Sequence, residues 1–283
     1  MSAAYGATIA KRRLSRQLRE LREQTGFTAN QVCDRLSWGR GKVGRFEANS
    51  WKRPELSDIR DLLRVYRVSD GERRELEDLA MQARERAWWR EFGDVFGDTE
   101  FPGYEADAAQ ICLYMPLILP GLLQTQAYTE AQMGVGAHPP AWRKRALQAR
   151  QRRQEILDRT DGTAPDLVAV ITEASLLYRW GTGEDRRAQV THLVGASRRP
   201  SVELRLLRFE DGPHPGMCGP INVFDFPGSE PQAVYLETDF AIQEVSSQDD
   251  VNAYIQTFGR IRGAALDAPA TTAYLKKLAE TLE

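Results

Sequence analysis

The sequence is poor in the residues on which metal sites and disulfides depend. It has three cysteines and three histidines in 283 residues. Cys33, Cys112 and Cys218 are far apart and odd in number, which argues against a disulfide framework, and no Cys-x-x-Cys or His/Cys cluster is present. No segment approaches the ~20 apolar residues that cross a bilayer. The start, MSAAYGATIAKRR, lacks the pattern of a signal peptide. We therefore expect a cytoplasmic protein with no metal and no cofactor.

Catalytic motifs are also missing from the sequence. It contains no nucleophile elbow with a Ser-His-Asp order, no phosphate loop and no metal-ligand spacing. His214 and Cys218, four residues apart in DGPHPGMCGP, are the nearest approach to a base with its nucleophile. A loop of this kind is more often a connector whose glycines and prolines set its turns. The sequence predicts no enzyme, and leaves this loop, with Phe224 of the next strand, as a candidate ligand or partner site.

Charge is distributed unevenly along the chain. The net charge is −2, yet residues 1–67 hold 15 Lys and Arg against 7 Asp and Glu. The remaining 216 residues hold 23 against 33. A basic first quarter on an acidic remainder is typical of a nucleic-acid-binding domain joined to a domain that does not bind nucleic acid.

The basic region contains the pattern of a helix-turn-helix. Thr28 with Gln31 forms a capping box, which predicts that a helix starts there. Apolar residues at helical spacing follow, the pattern stops at Ser37-Trp38-Gly39, and it resumes with Val43 and Phe46. Asn49 is suited to a left-handed helix cap. Two short helices about a tight turn are the arrangement that places its second helix in the DNA major groove.

The second helix is predicted to face outward with basic residues. Arg40, Lys42 and Arg45 are its exposed positions, with Gly41 and Gly44 between them. The arginine fork can meet guanine O6 and N7 together. Glycine costs about 1 kcal/mol against alanine in a helix, so helix propensity does not account for it. A face without side chains can approach DNA closely. The alternative is that these basic residues only solvate an exposed face.

The order of these features resembles the phage-repressor-like (XRE-type) helix-turn-helix domains of bacterial regulators. The motifs GFTANQ, VGRFEAN and KRP carry the resemblance, which covers about residues 10–67. It implies a salt bridge between Arg22 and Glu47 that also orients Arg22 towards a phosphate. It further implies base contacts and backbone contacts at two sets of positions. The base-contact positions are Arg40, Gly41 and Arg45, and the backbone-contact positions are Thr28, Lys52 and Arg53.

The rest of the chain resembles the companion domain of many actinobacterial regulators. The segments WWREFGDVF, PHPGMCGPINVFDFP and AVYLE carry the resemblance over residues 88–265. That domain has no established activity, and its regulators are discussed as antitoxin-like or developmental, often with a small protein partner encoded by a neighbouring gene.

Periodicity predicts the elements of the two parts. Five helices are expected over residues 11–90, after a frayed arm at 1–10. A capping box at Ser69 and Glu72 opens the last of them. The later part mixes strands with helices, which indicates an α+β domain with a small, largely antiparallel sheet. Within it, residues 221–226 alternate with period two, which predicts a half-buried strand ended by Pro227. A strongly basic helix is predicted over residues 142–159, and we assign it as a packed helix with a solvated face rather than as a second DNA contact. The predicted organisation is a helix-turn-helix domain at 1–68, a linking helix at 69–97 and the α+β domain at 98–283.

Together these features predict a sequence-specific transcriptional regulator that binds double-stranded DNA as a homodimer. In this hypothesis Gly41 and Lys42 lie at the groove, and the second domain serves dimerisation and partner or ligand binding. The alternative is an antitoxin-like interaction protein that binds a small neighbouring-gene-encoded partner and autoregulates. A third hypothesis is that the second domain senses a small molecule or is catalytic.

Overall fold

The computed structural model describes residues 6–51, 53–217, 219–237 and 242–282. The chain divides into two compact units. The first, called the head here, comprises Met1–Arg90 and Pro227–Glu230. The second, called the body, comprises Glu91–Phe226 and Pro231–Glu283. In the described part of the chain, no helix is both long and apolar enough to cross a membrane.

The head is helical. Its core is formed by one apolar face of each helix, and Leu14, Leu18, Ile59 and Leu62 are fully buried. Capping boxes at Thr28 and Ser69 open α2 and α5, as the sequence predicts. The helices are α1 Ala7–Gln24, α2 Ala29–Arg35, α3 Lys42–Glu47, α4 Leu56–Val65 and α5 Asp70–Gln82.

Two predictions for the head region were wrong. Of the arm expected at 1–10, the first five residues lie outside the described part of the chain, and the rest is helical from Ala7, because Ile9 and Ala10 are fully buried and extend the apolar face of α1. The segment 69–97 is not one linking helix. It contains α5, a 3-10 turn at Trp88–Phe92 and the short α6 at Gly93–Phe96. The charged run 84–86 offers no apolar position that could continue the buried face of α5.

The body combines helices with one mixed sheet, which confirms the predicted α+β class. The strands are β1 Gln110–Met115, β2 Asp166–Thr172, β3 Val202–Leu207, β4 Ile221–Asp225, β5 Ala233–Glu237 and β6 Ile242–Glu244. The further helices are α7 Phe101–Asp107, α8 Gln126–Val135, α9 Pro140–Gln154, α10 Glu173–Leu177, α11 Gly183–Ala196, α12 Gln248–Ala264 and α13 Ala268–Thr281.

The strand order is β3-β2-β1-β4-β5-β6. The ladders β1–β2 and β2–β3 are parallel, and the other three are antiparallel. The parallel pairs need long crossovers, and α8, α9 and α11 lie in the connections. Three of the five ladders are therefore antiparallel, which agrees with the predicted largely antiparallel sheet.

Helices cover both faces of the sheet. On one face, Tyr114 and Val223 pack with Phe258 and Ile261 of α12. On the other, Phe101 of α7 contacts Phe224 of β4 edge to face, with ring centroids 5.3 Å apart. Alternating polarity in β4 predicted a half-buried strand, but its first four residues are all buried. Because helices cover both faces of the sheet, β4 has no solvent-exposed face, although its alternating sequence predicted one.

Candidate nucleic-acid interface

Local hydrogen bonds fix both ends of α2. The Gln31 amide donates to Thr28 Oγ1 at 3.2 Å, and the Thr28 amide donates to Gln31 Oε1 at 2.9 Å. At the far end of α2, the Trp38 amide donates to the carbonyl of Cys33 at 2.8 Å. Val32 and Cys33 are fully buried. Because α2 is capped and packed into the core in this way, it fixes the position at which α3 follows.

The second helix is shorter than the sequence indicates. It begins at Lys42, with Gly41 as its N-cap at φ +83°. Only glycine adopts this left-handed conformation at little cost, so the backbone itself requires Gly41. Arg40 consequently lies in the turn before the helix rather than on it. The expectation that both glycines serve a close approach to DNA is corrected for Gly41. It remains open for Gly44, because an added Cβ there would meet no atom of the described part of the chain within 4 Å.

An aromatic stack supports α3 from its inner side. The ring of Phe46 lies 6.3 Å from that of Trp38 and 5.8 Å from that of Trp51, centroid to centroid. Trp51 Nε1 donates to the Phe46 carbonyl and to Ser15 Oγ, both at 3.1 Å. After α3, Asn49 has φ +56°, the left-handed cap that the sequence predicts. Both ends of the helix are therefore fixed.

Arg22 and Glu47 form a bidentate pair. Arg22 Nε donates to Glu47 Oε1 at 2.6 Å, and Nη2 donates to Oε2 at 2.9 Å. The remaining nitrogen, Nη1, donates to the Phe27 carbonyl at 2.8 Å. The hydrogen bonds to Glu47 raise the pKa of the Arg22 guanidinium. All three nitrogens of Arg22 are thus engaged inside the head, which favours its bracing role over the predicted phosphate contact.

The basic side chains around α3 differ in how freely they can meet a ligand. Arg40, Arg45 and Arg53 are exposed and make no side-chain hydrogen bond or ion pair with any described residue. Lys42 instead donates from Nζ to Asp58 Oδ1 at 2.7 Å. Its ammonium group also lies 4.0 Å from the centroid of the Trp38 ring. The predicted placement of Lys42 in the groove is therefore corrected, because α4 and the turn hold it.

Two predicted positions fall outside the described residues. Lys52 and Cys218 are not described, so the backbone contact expected of Lys52 stays a prediction.

The loop proposed as a ligand or partner site in the body does not form one cluster. His214 lies edge-on to Tyr114, with ring centroids 5.8 Å apart, on the α12 face of the sheet. Phe224 is fully buried on the opposite face, against Phe101. Because neighbouring positions on a strand alternate between faces, proximity in sequence could not show this separation. His214 and Phe224 therefore lie on opposite faces of the sheet and do not form the single site that the sequence predicted.

The basic helix α9 is engaged within the body. Arg145 pairs with Asp94 at 3.2 Å, and Arg153 pairs with Glu105 at 2.7 Å. These contacts support its assignment as a packed helix rather than a second DNA-binding element.

Comparisons with known families agree with this division of the chain. Residues 13–76 match a family described as "Helix-turn-helix domain". Residues 99–277 match a family described as "Domain of unknown function (DUF5753)". No curated protein and no solved structure matches the chain.

Proposed function

This chain belongs to the family of the Domain of unknown function (DUF5753), and we propose that it is a transcriptional regulator that reads a specific DNA sequence. The helix-turn-helix family match over residues 13–76 supports DNA binding by the head. The specific reading of sequence rests on the geometry around α3.

One observation carries the proposal. Arg40, in the turn before α3, and Arg45, in the last turn of α3, are exposed, and their side chains have no hydrogen bond or ion pair with any described residue. Arginine side chains without an intramolecular partner lose no internal hydrogen bond when they bind. Each can donate two parallel hydrogen bonds to guanine, a contact worth about 1–3 kcal/mol of discrimination between bases. Arg53 is equally unpaired and lies in the following loop, where it suits a phosphate.

Rigidity of the supporting structure favours specific recognition over general attraction. Trp38, Phe46 and Trp51 hold α3 from inside, while Arg22 and Glu47 tie α1 to its C-terminal end. A site held by packing loses little conformational freedom when it binds, and this lowers the entropic cost of recognition.

We also propose that the regulator acts as a homodimer. With six residues, α3 can reach only a few base pairs. Two copies on a palindrome, spaced by one helical turn of about 34–36 Å, would bind both half-sites at once.

The test is binding to DNA from the region upstream of the protein's own gene. Fluorescence anisotropy would compare the intact chain with an Arg40→Ala, Arg45→Ala double variant over a salt series, using upstream and random DNA. The matched control is Arg67→Ala with Arg74→Ala, which removes two exposed, unpaired cations elsewhere in the head.

We expect the first double variant to lose its preference for the upstream DNA and the control to keep it. If both double variants retain the same preference, α3 does not read bases. The head would then bind through phosphates, with an affinity that falls with salt according to the number of contacts.

A further inference from the structure

Most of the exposed apolar side chains of the chain lie at one edge of the sheet in the body. Among the described residues, seven large hydrophobic side chains are 48–90% exposed. Five of the seven lie just beyond the carboxyl ends of β1, β2 and β3, or in the loop that leads into β4. We call these five the apolar edge, and they are Leu117, Leu177, Tyr178, Phe209 and Met217.

The topology of the sheet places these side chains side by side. β1, β2 and β3 are parallel, so their carboxyl ends lie at the same edge of the sheet. β4 is antiparallel to β1, so it begins at that edge. The four strands are neighbours in the order β3-β2-β1-β4. Because neighbouring strands are about 4.8 Å apart, the four strand ends span about 15 Å.

Contacts within the body fix the segments that carry the apolar edge. Thr172 Oγ1, at the end of β2, donates to the carbonyl of Pro116, which follows β1, at 2.6 Å. The amide of Phe209, after β3, donates to Glu173 Oε2 at the start of α10 at 2.5 Å. Gly216, in the loop before β4, lies so close to α12 that an added Cβ would come within 2.4 Å of a side-chain atom of that helix. The apolar edge is therefore a surface with a defined backbone.

The charged side chains of this region are nearly balanced. Arg208 forms ion pairs with Glu210 and Asp211. The carboxylate of Glu173 accepts a hydrogen bond from the Tyr274 hydroxyl at 2.6 Å. Two basic residues stand against three acidic ones over the segments that carry the apolar edge, which are residues 116–118, 173–179 and 208–217. A nearly neutral surface does not repel an identical surface and offers little attraction to a strongly charged partner.

The area of the apolar edge matches what a homodimer requires. Its five side chains are 48–67% exposed, which corresponds to roughly 500 Å² of apolar surface. An interface of standard size buries about 800 Å² on each partner, and about 65% of a homodimer interface is apolar, which is also about 500 Å². Apolar patches on monomers rarely exceed a few hundred Å² unless they serve an interaction.

We propose that two copies of the chain associate through the apolar edge, about a two-fold axis, to form the homodimer. The inference rests on the homodimer proposed above and assigns its interface. In such a contact the same surface of each copy packs on the other, so both apolar edges leave the water together. Phe209 and Tyr178 are its central contacts, because aromatic side chains are enriched in interfaces and carry much of their binding energy.

Analytical ultracentrifugation of the full chain without DNA tests the proposal, over about 0.1–100 μM protein. Interfaces of this size have dissociation constants from micromolar to picomolar, so the intact chain should sediment as a dimer within this range. The Phe209→Ser, Tyr178→Ser double variant should raise the dissociation constant of the dimer at least a hundredfold.

The matched control is Met81→Ser with Val135→Ser. It replaces the other two of the seven exposed side chains, which lie outside the apolar edge, and it should dimerise as the intact chain does. Circular dichroism would verify that each variant is folded. If the first double variant does not fold, Leu117→Ser takes its place, and it should weaken the dimer at least tenfold.

The outcomes separate the interface from the other proposals. A folded patch variant that dimerises as tightly as the intact chain would overturn the interface and leave the homodimer standing. An intact chain that is monomeric over the whole range would also overturn the interface. Equal weakening by the control would overturn it as well, because the apolar edge would then have no special part. DNA binding by the head is measured separately, by fluorescence anisotropy, and does not depend on these results.

Discussion

Replacing Gly44 by alanine separates stability from DNA recognition in α3. No atom of the described residues lies within 4 Å of the added methyl group, so the change introduces no clash with them. Alanine is favoured over glycine in a helix by up to about 1 kcal/mol. For a domain of 60–100 residues this corresponds to a rise in melting temperature of roughly 4–8 °C. We therefore expect Gly44→Ala to stabilise the head.

The same methyl group should weaken DNA binding. If the glycine lets the helix backbone lie against DNA, the methyl group must displace the helix outward and lengthen the contacts of Arg40 and Arg45. We expect the affinity for the upstream DNA to fall at least tenfold, which is about 1.4 kcal/mol. Melting followed by circular dichroism and fluorescence anisotropy on the same samples would measure the two effects.

Two glycine variants calibrate the result. In Gly71→Ala, near the start of α5, the added methyl group also meets no atom of a described residue within 4 Å, and this variant should raise stability while leaving DNA affinity unchanged. Gly41→Ala should lower stability by about 1–2 kcal/mol, because φ is +83° and alanine resists the left-handed region. The reasoning on Gly44 is refuted if Gly44→Ala binds DNA as tightly as the intact chain.

Three more changes follow from the ion pairs. Glu47→Ala should cost about 3 kcal/mol of folding free energy, because the Arg22 side chain, 14% exposed, would lose its carboxylate; an unchanged denaturation midpoint would contradict this. Lys42→Ala should lower the melting temperature slightly and leave the discrimination between upstream and random DNA intact. Loss of that discrimination would instead indicate that Lys42 contacts DNA in the groove. Glu203, whose pKa is lowered chiefly by its hydrogen bond with Arg262, contributes stability above its unfolded pKa of about 4.3. That contribution should disappear as pH falls through the lower folded pKa, and the Glu203→Gln variant should show a smaller loss of stability in acid than the intact chain.

Features set by neighbouring residues could be predicted from the sequence. The capping boxes at Thr28 and Ser69 form as expected, because donor and acceptor are three residues apart on one turn of helix. Asn49 adopts the predicted left-handed cap. The Arg22–Glu47 pair joins positions 25 residues apart, and only the resemblance to a known family indicated it.

Features set by distant contacts could not be predicted in the same way. Lys42 was assigned to an exposed face, but its partner Asp58 is sixteen residues further on and reaches it only after α4 has packed. The start of α3 was misplaced because the composition of the turn does not reveal which glycine has a positive φ. The faces of β4 were misjudged because the helices covering them come from other parts of the chain.

The number of arginines available to contact bases bears on whether one copy of the head can distinguish a specific site from random DNA. Two bidentate contacts to guanine, at about 1–3 kcal/mol each, give one head roughly 2–6 kcal/mol of discrimination. Specific sites are typically bound about 4–10 kcal/mol more tightly than random DNA. A single copy falls at or below the lower part of that range, whereas two copies on a palindrome span it. Sedimentation of the protein with one half-site and with a palindrome of two half-sites would decide the matter. If the complex on the palindrome contains one copy and still discriminates as strongly as a full site requires, the contacts of Arg40 and Arg45 are not the main source of specificity.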